Sequence, residues 1–237
     1  MPCDMRFNLA TLRRKIAAIR LPRLMPATLA LAFFCVFMRA AQMVVARAPV
    51  RSVLTQGDGG GYLLVPDILT FLFSIHGLGL SLNFFWTPLT YIFLHGSATH
   101  LALNLAGLLT FGQSLERDFG KRVLLGVFFI SGIIGGLGWV AFKGLDSPHP
   151  CVGASAAVLG VVGACAALKP REEFVFTMPF FNPFIRAWEL AAFLTIANAL
   201  ELFLGRGHIA YSAHLFGIIS GALCGLFARW WKKRKTM

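Results

Sequence analysis

Apolar stretches about as long as a bilayer is thick recur along this chain, and few architectures can house them. Candidate spans fall at 26–45, 100–115, 123–142, 151–168, 185–204 and 209–230. A hydrocarbon core takes about 20 residues per helix, so six such segments joined by short loops predict an all-α polytopic membrane protein. Composition agrees. The chain is 57% hydrophobic and 14% charged, and its mean hydropathy is +0.71, whereas a soluble domain carries about 25% charged residues. A secreted or cytosolic enzyme is thereby excluded.

The net charge of +12 would suggest a nucleic-acid partner in a soluble chain, but its distribution excludes one. With both termini cytoplasmic, 17 of the 22 basic residues lie on the inner side. Four lie outside (Arg47, Arg51, Lys143 and Arg206), and Arg39 interrupts the first span. An odd number of spans would put one basic terminus on the wrong side. The chain then divides into a basic cytoplasmic segment, 1–25, a six-helix membrane domain, 26–231, and a basic tail, 232–237. Residues 1–25 read as a flank that orients the first span, or as a short amphipathic helix on an anionic leaflet. A signal peptide with its apolar core at 29–38 lacks a cleavage site followed by a soluble domain. Residues 47–83, broken by Gly57, Gly59, Gly60, Gly61, Pro66 and Asp67, predict a loop that partly dips into the outer leaflet. Trp86 and Tyr91 fit an interfacial position. Residues 174–184, with Pro179 and Pro183, predict a non-helical connector. Five cysteines, mostly in apolar segments, read as packing residues, with no metal or cofactor implied.

A few polar residues inside the spans carry the chemistry. Ser155 stands alone among small residues near the start of the fourth apolar stretch. Such a serine usually bonds back to the carbonyl one turn earlier. His100 and Asn104, one turn apart on the second span, and His214 near the start of the sixth argue for more. With this topology all four lie near the outer ends of even-numbered helices, Ser155 and His214 about 6–8 Å below them at 1.5 Å per residue. A serine hydroxyl needs a base to become a nucleophile, and histidine is the usual one. A tetrahedral oxyanion needs donors, and the Asn104 amide, the His100 N–H and the Ser155 backbone N–H qualify. Asp146 and Glu201, the nearest acids on the outer side, have no defined partner, so the reading is a Ser155–His214 dyad without a third member. Ala213, Gly217, Gly221 and Gly225 form a small-residue stripe, as do Ala156, Gly160 and Ala164. Such faces let two helix backbones approach closely.

Taken together, these residues resemble the rhomboid family of intramembrane serine proteases. Gly153-Ala-Ser155 is similar to the family's GxSG nucleophile motif. Ala213-His214-Leu-Phe-Gly217-Ile-Ile-Ser-Gly221 resembles its AHxxGxxxG helix. His95 to Asn104 resembles its HxxxxHxxxN segment, and Gly112 to Gly120, with Glu116 at its centre, its GxxxExxxG. The resemblance covers about 84–228. It implies a six-helix rhomboid-like bundle in which Ser155 and His214 are catalytic and His100 and Asn104 serve the oxyanion. His95, Gly153, Glu116, Gly217 and Gly221 would support them. Ala156 stands where the motif has its second glycine, Leu159 where an aromatic ring often stacks on the base, and Thr87 where arginine follows Trp86.

The function expected is endopeptidase cleavage of transmembrane or juxtamembrane segments of membrane proteins, without a cofactor. The resemblance implies a substrate helix arriving beside the fifth span, where Phe180, Phe181, Phe184 and Asn198 suggest looser packing. The alternative is an inactive rhomboid-like protein that binds membrane helices. A small transporter would predict polar groups at several depths and internal repeats, and none is evident. A bacterial inner membrane is the expected location.

Overall fold

A computed structural model describes residues 25–46, 53–56, 62–65, 67–175, 184–205 and 210–235. The basic segment expected before residue 25, the phenylalanines at 180 and 181, and Arg47, Arg51 and Arg206 lie outside the described residues.

The chain is an all-α polytopic membrane protein. Among the described residues four helices are long and apolar enough to cross a bilayer: α1 (Pro26–Val45), α6 (Lys121–Lys143), α8 (Ala187–Leu204) and α9 (Tyr211–Lys235). Between α1 and α6 the chain forms an antiparallel hairpin of β1 (Val53–Gln56) and β2 (Tyr62–Val65), then the short helices α2 (Ile68–Phe73), α3 (Gly77–Ser81) and α4 (Thr87–Thr90). The region expected as a dipping loop is therefore partly ordered into short elements. α5 (Ala98–Phe119) follows, and with the Thr87–Phe93 segment it makes a pair bent by 97° that passes the span test together. Its middle, Leu108–Gly112, is π-helical.

The fourth apolar stretch differs most from expectation. Its helix, α7, runs only from Ser155 to Leu168. Pro148 and Pro150 lack the N–H a helix needs, and Gly153 sits at φ +125°, a region that other residues avoid. Extended backbone therefore replaces the expected first turn. This stretch is pinned rather than loose. Ile75 and Cys151 exchange backbone hydrogen bonds of 3.1 and 2.8 Å, and the Gly153 N–H donates to the Tyr91 carbonyl at 3.0 Å. The Tyr91 hydroxyl in turn donates to the Gly132 carbonyl of α6 at 2.6 Å. The connector between α7 and α8 begins and ends in a small hairpin, β3 (Glu173–Val175) with β4 (Phe184–Arg186).

α7 is the core of the bundle, packed by α9, α6, α8 and α5. Its contact with α9 is backbone on backbone. A Cβ added at Gly221 would collide with the Gly160 carbonyl, one at Gly217 with the Ala156 carbonyl, and one at Gly163 with the Ile218 carbonyl. Both predicted stripes thus face each other. Cys35, Cys151 and Cys165 are buried among apolar side chains.

Candidate active site

The first turn of α9 and the start of α7 meet where the two stripes bring their backbones together. There His214 Nε2 lies 2.8 Å from Ser155 Oγ. Ser155 is the first residue of its helix, so back-bonding to an intrahelical carbonyl four residues earlier is not open to it. Its neighbour Ala154 is the N-cap and provides no side-chain cap. The N–H groups of the first turn have no intrahelical acceptor, and the positive end of the helix dipole adds to their pull on an anion. Donors suited to an oxyanion are thus built into the turn that carries the hydroxyl.

Of the other residues anticipated from the sequence, His100 lies against Gly153, two residues before Ser155, and Asn104 and His95 lie beside His100. Ser97 caps α5, its hydroxyl accepting from the His100 N–H at 3.0 Å. The His100 ring lies against the bare face of Gly153, where a Cβ would stand 2.8 Å from Nε2. Gly153 therefore serves twice, in its φ and in the room it leaves for the imidazole. Asn104 is buried and turns one N–H back onto the His100 carbonyl at 3.0 Å; an amide nitrogen has a second N–H to give. His95 works through its backbone. Its N–H donates to Gln42 Oε1 at 2.9 Å, and its carbonyl accepts from Arg39 Nη1 at 2.9 Å. Arg39 thus faces protein, and α1 holds the strand of chain that enters α5.

Glu116 acts at the opposite end of the bundle. Its buried carboxylate accepts from the Ala27 N–H at 3.0 Å, the Thr28 N–H at 2.7 Å and the Thr28 hydroxyl at 2.8 Å. It caps the first turn of α1 from another helix.

Two of the departures have local compensations. The Ala156 methyl points at Gly135 of α6, which has no side chain to oppose it. Thr87 is buried, its hydroxyl donating to the Phe84 carbonyl at 2.8 Å. The Trp86 indole N–H donates to the Leu72 carbonyl at 2.8 Å, which ties the short helices together.

One contact went unread in the sequence. Asn198 of α8 places Oδ1 2.8 Å from His214 Nδ1. An amide inside an apolar span was the available signal, but it gave no partner. Asp146 lies in the exposed turn after α6, and Glu201 lies a turn beyond Asn198 on the same helix.

The Rhomboid domain model matches residues 83–231. The rhomboid-family protein YdcA of Bacillus subtilis is 32% identical over 161 residues, which is 68% of this chain and 75% of that protein. The rhomboid protease GluP of the same organism is 37% identical over 95 residues, 39% of this chain and 18% of that one. The mitochondrial Rhomboid protein 1 of Saccharomyces cerevisiae is 31% identical over 172 residues, 70% of this chain and 44% of that one.

Proposed function

The chain belongs to the rhomboid family, a multi-pass membrane family that includes serine proteases, and from that premise we propose that it is an intramembrane serine endopeptidase acting through Ser155 and His214. The observation that carries this reading is the 2.8 Å contact between His214 Nε2 and Ser155 Oγ at the mouth of an uncapped helix. As Oγ attacks a peptide carbonyl, Nε2 takes its proton, and the resulting oxyanion is met by the first-turn N–H groups of α7 and by donors from His100 and Asn104. Each such donor is worth roughly 10²–10³ in rate. His214 then protonates the leaving amine, and water opens the acyl-enzyme by the same route in reverse.

Depth supports this chemistry. A 14-residue helix is about 21 Å long at 1.5 Å per residue, roughly 9 Å short of a 30 Å hydrocarbon core. Ser155 therefore lies below one membrane surface but within reach of its water. The substrate class proposed is a membrane protein with a helix that reaches the site beside α8. Of the four long helices among the described residues α8 is the least enclosed, with 22% of its 18 residues buried against 56% of an equal length of α6. We read 26–231 as the membrane domain, with 1–25 and 232–237 as cytoplasmic basic flanks in a bacterial inner membrane. The charge distribution supports that orientation.

Fluorophosphonate labelling of the purified protein in detergent tests the reading. Wild-type protein is expected to label, and Ser155→Ala and His214→Ala to lose the label while keeping their melting behaviour. A folded wild-type protein that does not label would sink the proposal and leave a helix-binding role.

A further inference from the structure

Asn198 reaches the base on the side away from the nucleophile. Its own amide orientation is set by its helix: Nδ2 donates to the Leu194 carbonyl at 2.7 Å, so the oxygen is the atom turned to His214 Nδ1 at 2.8 Å. A carboxamide oxygen only accepts. Nδ1 must therefore carry the ring proton, and Nε2 must present its lone pair to the Ser155 hydroxyl. This is the tautomer a general base needs.

We propose that Asn198 is a positioning residue for His214, completing a Ser155–His214–Asn198 relay in which a neutral amide holds the base in its working tautomer. The proposal rests on the serine protease reading and adds a third member to the dyad anticipated from the sequence.

One further observation favours a role beyond ordinary packing. Asn198 is buried on a helix whose outward face is apolar and exposed, at Phe193, Ile196, Leu200 and Phe203, and it is the one polar residue among the buried positions of that helix. A carboxylate there would hold the same tautomer, but an ionised side chain inside a bilayer costs more than an amide. The amide fixes direction without bringing a charge. The arrangement also ties the orientation of the base to α8, so displacement of that helix would withdraw the acceptor.

The experiment combines side-chain ¹⁵N NMR of histidine-labelled protein with fluorophosphonate kinetics on wild type, Asn198→Leu and Asn198→Asp, the His214 signal being assigned by its loss in His214→Gln. Wild type is expected to show an Nδ1–H imidazole. Asn198→Leu, similar in size but without an acceptor, is expected to lose that tautomer. Its labelling rate should fall by roughly tenfold or more, up to the roughly 10²–10⁴-fold that general-base catalysis contributes, and kcat on a transmembrane peptide should fall with KM nearly unchanged. Asn198→Asp keeps an acceptor oxygen and is expected to recover the tautomer and most of the rate. An unchanged tautomer and rate in folded Asn198→Leu would overturn the positioning role while leaving the Ser155–His214 reading intact. A wild-type protein that does not label, yet changes tautomer in Asn198→Leu, would uphold the contact and remove the protease reading. Should Asn198→Leu fail to fold, an Nε2–H imidazole in wild type would by itself overturn the proposal.

Discussion

At Ala156 one extra methyl group tests how closely this site is fitted. The residue is buried one position after the proposed nucleophile, and its methyl occupies space left open by Gly135. A Cβ at Gly135 would meet both that methyl and, at 2.8 Å, the Ala213 carbonyl next to the base. Gly135→Ala is therefore expected to overpack the junction of α6, α7 and α9 at a cost of about 1–3 kcal/mol, lowering the melting temperature and slowing Ser155 labelling. Adding Ala156→Gly should restore part of the loss, since it removes the methyl but not the carbonyl; thermal melts of the single and double variants check the coupling. Ser155, His214, His100 and Asn104 were legible in the sequence because a polar side chain in an apolar span is conspicuous. Asn198 was equally visible, but its contact with His214 was not. That contact comes from where α8 crosses α9, and no spacing along the chain encodes the crossing.

Among the elements, α7 shows what hydropathy does and does not encode. The apolar stretch 151–168 reads as one span, yet Pro148, Pro150 and Gly153 delay the helix to Ser155. Hydropathy reports burial, and extended backbone tied to Ile75 and Tyr91 is buried as well as a helix is. That delay makes Ser155 the first residue of the helix instead of one a turn inside it, and so gives it the first-turn N–H groups that lack an intrahelical acceptor. The small-residue stripes were readable, and they set the distance between α7 and α9. Gly221→Val would drive a branched side chain into the Gly160 carbonyl, and the helices can relieve that only by separating. Because His214 and Ser155 belong to the same two helices, the expected outcome is loss of labelling at a temperature where circular dichroism still reports native helix content. A Gly221→Val protein that labels at the wild-type rate would mean that the stripe does not set the dyad distance.

For the whole molecule, contacts between helix ends show which residues share one end of the bundle. The start of α1 is held by Glu116 near the end of α5, and Lys232 near the end of α9 lies over the Phe119 ring at 5.7 Å. Lys169, just past α7, pairs with Asp118 at 2.6 Å and also with Glu172. The Ala187 N–H at the head of α8 donates to the Glu172 carbonyl at 3.1 Å. Residues 26, 119, 169, 187 and 232 therefore share one end of the bundle, and the Ser155–His214 pair lies toward the other. The basic residues crowd the first end, so under the proposed orientation that end is cytoplasmic and the Ser155–His214 pair lies in the outer half of the bilayer. Single cysteines at exposed positions, in a protein whose native cysteines are replaced by serine, test the assignment with a membrane-impermeant maleimide on intact cells. Asp146→Cys, in the turn at the dyad end, is expected to label from outside. Lys121→Cys and Arg171→Cys, at the basic end, should label only after permeabilisation. The reverse pattern would turn the molecule over and place the proposed chemistry on the cytoplasmic side. Labelling of all three positions from outside would contradict the bundle itself, because Asp146 and Lys121 are separated by the full length of α6.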